Sequence, residues 1–108
     1  MAKEITIDGI VYVPRSSVVQ ERTGAWTVGT NYLIRTVTMT LTGMLSYIDE
    51  HELVLENASW VADTGRFADA LKTGKLNEVE PFPSYAIIGR GSIVDATEWI
   101  HELPRTQK

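Results

Sequence analysis

The stretch Asn57–Pro83, NASWVADTGRFADALKTGKLNEVEPFP, constrains the rest of the chain more than any other. It holds the one segment with a strong helical signature, set between segments that read as extended. Phe67, Ala68 and Leu71 fall at i, i+1 and i+4, a stripe that a short amphipathic helix buries. Arg66, Asp69 and Lys72 fall on the wetter side with alternating sign, so neighbours attract. Thr64 is placed to cap the N-terminus with its hydroxyl, and Asp63 adds negative charge at the positive end of the helix dipole. Gly74 stands where a left-handed C-cap is wanted, with Lys72 and Lys75 near the negative end. Pro81 and Pro83 bar any continuation. NASWVAD, ahead of the helix, is too short to be a second one. The centre therefore reads strand, helix, extended loop.

Residues 31–48 give the clearest strand pattern. Leu33, Arg35, Val37, Met39 and Leu41 share one face, and Ile34, Thr36, Thr38, Thr40 and Thr42 the other, which predicts a polar outer surface of threonines. Gly43 marks a bulge or bend, after which Met44, Leu45 and Tyr47 continue. Asp49-Glu50-His51 makes a turn, and Leu53, Val54 and Leu55 pair back. Tyr85–Gly89 and Ile93–Ile100 are further extended runs. Residues 4–13 read as a hairpin turning at Asp8-Gly9 and stopped by Pro14. Residues 15–30 read as a loop with one helical turn at Ser17–Arg22; Trp26 within it must pack on something. The expected fold class is α+β: an antiparallel, bent sheet of about five to six strands with one short helix packed on it. Residues 1–108 form a single domain, with an N-terminal hairpin at 1–14 and a loose tail at 102–108.

Composition narrows the function classes. Zero cysteines removes disulfides, thiol nucleophiles and thiolate zinc sites together. No apolar run approaches the roughly 20 residues that cross a bilayer, and MAKEITIDG has no apolar signal core, so a cytoplasmic protein with no membrane partner is expected. Ten Lys and Arg against fourteen Asp and Glu, net -4, argue against DNA as a partner. Arg66, Lys72 and Lys75 nevertheless form a local basic patch that a small anion could use.

Catalytic signatures are not found. His51 and His101 lack metal-ligand spacing and read as surface residues, and Ser92 has no evident base partner. No metal, no cofactor and no enzymatic activity are expected. Gly89-Arg90-Gly91-Ser92 is either a tight turn or a loop whose amides face an anion. Arg35, on the apolar face of its strand, either reaches to solvent or binds an anion from a rigid sheet. What is plentiful is aromatic surface near arginine: Trp26, Trp60, Phe67, Phe82, Tyr85 and Trp99 with Arg35, Arg66 and Arg90. Either Trp60, Phe67 and Trp99 are simply the core of a small domain, or these rings form a pocket that stacks a purine and pairs its phosphates with guanidinium groups.

DGIVYVPR, then YLIRT, then ENASWVADTGRFADALKTG, then VDATEWIHELP follow one another in an order that resembles a family of small phage and prophage proteins. That family includes the Thoeris anti-defence proteins of the first type. The resemblance covers roughly residues 7–104. It implies a homo-oligomer in the host cytoplasm that binds a cyclic ADP-ribose or cyclic oligonucleotide signal and holds it unhydrolysed. Arg35 matches the family's strand arginine by position. Where the family has a pair of arginines after an alanine, this chain has Ala58-Ser59-Trp60. The residues expected to bind ligand are Arg35, Trp60, Arg66, Phe67, Phe82 and Arg90, with Arg66, Phe82 and Arg90 chosen on chemistry alone. The alternative is a phage accessory or structural protein acting through protein contacts.

Overall fold

A computed structural model describes residues 24–108 in full, and the backbone pairing of three short strands ahead of them. Those are β1 (Ile5–Ile7), β2 (Ile10–Tyr12) and β3 (Arg22–Thr23). β1 and β2 pair as the expected hairpin, Ile7 opposite Ile10. The turn at Asp8-Gly9, the stop at Pro14 and the helical turn over Ser17–Arg22 lie outside the described residues, Arg22 excepted. β3 pairs with β4 (Trp26–Thr27), so part of the expected 15–30 loop is a hairpin. Trp26 packs edge-on against Tyr32, with ring centroids 4.9 Å apart.

The main sheet is antiparallel and six-stranded, with α1 packed on it; the α+β reading holds. Its strands are β5 (Asn31–Thr36), β6 (Thr40–Ile48), β7 (Glu52–Asp63), β8 (Glu78–Pro81), β9 (Ala86–Gly89) and β10 (Ile93–Glu98). The order is β10-β5-β6-β7-β8, and β9 also pairs with β7. β7 makes this possible by being long and kinked. One edge follows β6 along most of its length. The other edge takes β9 over Glu52–Leu55 and β8 over Ser59–Asp63.

The expected faces of 31–48 need correction. The chain turns at residues 37–39, where the Thr36 hydroxyl accepts from the Met39 amide at 3.1 Å and the Thr36 amide donates to the Met39 carbonyl at 2.7 Å. The turn resets the alternation. Ile34 now lies opposite Leu41, and both enter one core with Leu45, Leu53, Leu55, Ala86 and Ile88. Leu33 faces the other way, into a second core with Val61, Ala70, Leu76, Val79 and Trp99. Both faces at the sheet centre are therefore covered, and there is no polar threonine surface there. Thr42 is fully buried. Each fully buried leucine is worth about 2 kcal/mol of transfer free energy.

α1 runs Phe67–Thr73 and closes the second core. Its buried stripe is Phe67, Ala70 and Leu71, at i, i+3 and i+4; Ala68 is exposed, contrary to expectation. Thr64 does not cap it. Gly65, at φ +72°, turns the chain first, so Arg66 becomes the N-cap without a side-chain hydrogen bond. The Thr64 hydroxyl donates to the Gly65 carbonyl instead, at 2.7 Å. The C-cap is Gly74 at φ +79°, as expected.

Residues 102–108 are not a loose tail. The indole of Trp99 donates to the Glu102 carbonyl (3.0 Å), and the Ser59 hydroxyl to the Pro104 carbonyl (2.9 Å). Lys108 and Val79 exchange two backbone hydrogen bonds along β8. His101 is half-buried rather than a plain surface residue. No helix among the described residues is long and apolar enough to cross a membrane.

Candidate functional site: a groove at the kink of β7

The kink arises from a bulge. Thr42 pairs with Ser59 and Met44 with Glu56, so Asn57 and Ala58 together face Gly43. Asn57 takes φ +53°, the one non-glycine residue at positive φ among those described. Asparagine tolerates that conformation better than most residues. At the same point β8 has ended and β9 has not begun. The segment Phe82–Tyr85 bridges them, tied down by a 2.8 Å hydrogen bond from the Phe82 amide to the Ala58 carbonyl. The tail reaches the same point, fixed by the Ser59–Pro104 bond.

These pieces enclose an open groove of about 430 Å³. Phe82, Tyr85, Pro104, Arg105, Asn57 and Glu56 are among its lining residues. A shallower depression of about 180 Å³ adjoins it, lined by Trp60, Glu80, Pro81, Phe82 and Pro83. Trp60 is 41% exposed, Phe82 37% and Tyr85 59%, so their rings are open to a ligand. The first volume lies within the roughly 300–1,000 Å³ of small-molecule sites.

The six expected ligand residues fall into three places. Trp60 and Phe82 come together at the kink. Arg35 and Phe67 come together on the helix side, with the guanidinium 4.6 Å from the ring centroid. Arg35 is also bound by both its Nε and Nη2 to Asp95, at 2.8 and 2.5 Å. That pairing holds the Asp95 carboxyl below its usual range and raises the Arg35 guanidinium further. Arg66 is exposed at the helix N-cap.

Arg90 is elsewhere again. Its Nη1 donates to the Asp49 carbonyl at 2.7 Å and its amide to the His51 carbonyl at 2.9 Å, bracing the β6–β7 turn. Arg90–Ser92 is a 3-10 turn with no residue at positive φ, so it does not form the αR-αL amide cradle that binds anions. Within one chain, then, the six residues do not share a cleft.

Sequence reasoning missed Asn57 and Arg105 as groove residues and did not select Tyr85. A bulge asparagine and an arginine in a supposed tail carry no local signal. The groups with shifted titration are Arg35, Asp95, Tyr47 and Asp49; among the described residues none of these lines the kink groove. No group of three or more His, Asp or Glu among the described residues is placed to hold a metal ion. Compared with family models, curated proteins and solved structures, the chain finds no match.

Proposed function

We infer that this is a phage-encoded binding protein of the host cytoplasm. It sequesters a nucleotide-derived signal, of cyclic ADP-ribose or cyclic oligonucleotide type, without degrading it. The observation that carries the reading is the pair Trp60 and Phe82: two half-open rings, Trp60 on β7 and Phe82 between Pro81 and Pro83, beside a groove of ligand size. Stacking of a base on such rings is worth roughly 1–3 kcal/mol each. The order of motifs along the chain supports the same class. A groove this open is completed by a second protomer in a homo-oligomer, which would exclude water from the stacked base.

The test is thermal unfolding against a panel of cyclic nucleotides, with recovery of the ligand after denaturation. Tight binding raises stability by about 3–4 kcal/mol at a hundred- to thousand-fold excess over Kd. Melting curves that do not move across the panel would sink the reading.

One observation favours the alternative, an accessory protein acting by protein contact. Tyr47, Val54 and Ile87 form a row across β6, β7 and β9, with Tyr47 and Ile87 about half exposed. An apolar row of that kind suits a protein partner. Ile87→Asp would abolish capture of such a partner and leave small-molecule binding intact.

A further inference from the structure

An anionic ligand needs a cation with hydrogen bonds to give, and the arginines differ sharply in what they have left. Arg35 spends its guanidinium on Asp95, and recruiting it means breaking two charge-assisted bonds. Arg90 is half-buried on the Asp49 carbonyl. Arg66 sits at the helix N-cap and does not line the groove. Arg105 lines the groove, is exposed, and makes no ion pair or side-chain hydrogen bond among the described residues.

Its backbone is also held on both sides. Pro104 is fixed by the Ser59 hydroxyl, and Lys108 is paired with Val79. Arg105 is thus presented at a set position, which reduces the ordering cost of using it. The aromatic residues Phe82 and Tyr85 line the same groove as this cation, and Glu56 adds a carboxylate. A carboxylate in the groove rejects a ligand that is anionic throughout. It accepts one that offers hydroxyl or amine hydrogens at one end and a phosphate at the other.

Resting on the binding reading above, we propose that Arg105 holds the phosphate of a nucleotide-derived ligand at the kink of β7. Tyr85 and Phe82 cover the ligand's ring, and Glu56 selects for hydroxyl or amine donors. Arg35 is not the phosphate contact; it belongs to the fold through Asp95 and Phe67.

The experiment is calorimetric titration of the full chain with cyclic ADP-ribose at low and high salt, for wild type, Arg105→Gln and Arg105→Lys. Loss of one charge-assisted contact predicts binding weaker by roughly tenfold or more in Arg105→Gln. Arg105→Lys keeps the charge but not the two-pronged geometry, so it falls between the two. The salt dependence of Kd flattens in Arg105→Gln and persists in Arg105→Lys. Unliganded melting temperatures report whether either variant has lost its fold. Wild-type binding that survives Arg105→Gln undiminished overturns this assignment and leaves the binding reading standing. Absence of wild-type binding to cyclic ADP-ribose overturns this assignment for that ligand, and absence across the whole panel of cyclic nucleotides overturns the binding reading as well.

Discussion

His101 Nε2 donates a 2.7 Å hydrogen bond to the carbonyl of Leu71, in the last turn of α1. Its ring also stands edge-on to Trp99, with centroids 5.1 Å apart. The histidine thus satisfies a helix-end carbonyl that would otherwise lack a partner. The same ring closes over the C-cap: a methyl group added to Gly74 would lie 2.6 Å from His101 Cγ. Gly74→Ala therefore meets two penalties, a left-handed backbone and a clash. A loss of about 2–4 kcal/mol is expected in denaturant unfolding. His101→Ala alone is expected to cost about 1 kcal/mol. Adding Gly74→Ala to His101→Ala should cost only the backbone part. Full additivity of the two losses would show that the ring and the C-cap do not meet.

Thr42 offers the opposite kind of test. Its hydroxyl is fully buried and has no hydrogen-bond partner among the described residues. Replacing the hydroxyl by a methyl keeps the shape and removes an unsatisfied polar group. Thr42→Val is expected to stabilise by about 1 kcal/mol, read as a higher denaturant midpoint with unchanged slope. A destabilised variant would mean that the hydroxyl is satisfied in solution.

The acid limb of stability should trace two carboxylates. Asp95 is held below its usual range by hydrogen bonds and charge from Arg35. Asp49 is held low by the amides of His51 and Glu52 and by the Tyr47 hydroxyl. For both, the unfolded chain takes up the proton first. Their contribution is present above the ordinary aspartate pKa, about 3.9, and is lost as pH falls through the folded value. Asp95→Asn should flatten the acid limb of a stability–pH profile, while the slope due to Asp49 remains. The Arg35–Asp95 pair is exposed, so added salt should shrink the difference. Tyr47 acts at the other end. Its phenol is raised by donating to Asp49, so its contribution persists below the ordinary tyrosine range and is lost as pH climbs through the folded value.

What the sequence disclosed was local, and what it concealed was pairing across distance. The helix, its Gly74 cap and the return after Asp49 rest on neighbours within one turn, and all were readable. The reversal at residues 37–39 was not. Val37, Thr38 and Met39 include none of the Gly, Pro, Asn or Asp that mark turns, and the Thr36 hydroxyl supplies the turn instead. One unread turn then put Leu33 and Leu41 on the same face, when they enter separate cores. The candidate site follows the same division. Trp60 and Phe82 were visible as aromatic residues in a chain rich in aromatic surface and arginine, Phe82 between two prolines. Arg35 was visible as a strand arginine, but Asp95, which claims it, is sixty positions away. Arg105 reaches the groove only because Ser59 anchors Pro104 from forty-five positions away.

The kink itself can be tested through the two residues that shape it. A methyl group on Gly43 would lie 2.9 Å from Leu55 Cβ and 3.3 Å from Ala58 Cα, both on the kinked strand. Neither is the far end of a flexible chain, so Gly43→Ala forces β7 outward at an estimated 1–3 kcal/mol. Asn57→Ala should cost about 1 kcal/mol by removing a residue that tolerates positive φ, and Asn57→Gly should cost nothing in stability or gain slightly. The groove responds differently. Gly43→Ala displaces the bulge against which Phe82 is hydrogen-bonded, so it loosens the groove wall as well as the fold. Asn57→Gly leaves the wall in place and removes only the amide side chain that lines the groove. Tryptophan emission is the reporter, since of the three indoles only Trp60 borders the adjoining depression, while Trp26 packs on Tyr32 and Trp99 lies in the second core. Its emission should shift in Gly43→Ala and stay put in Asn57→Gly. Equal spectra for all three chains would show that the bulge does not set the groove.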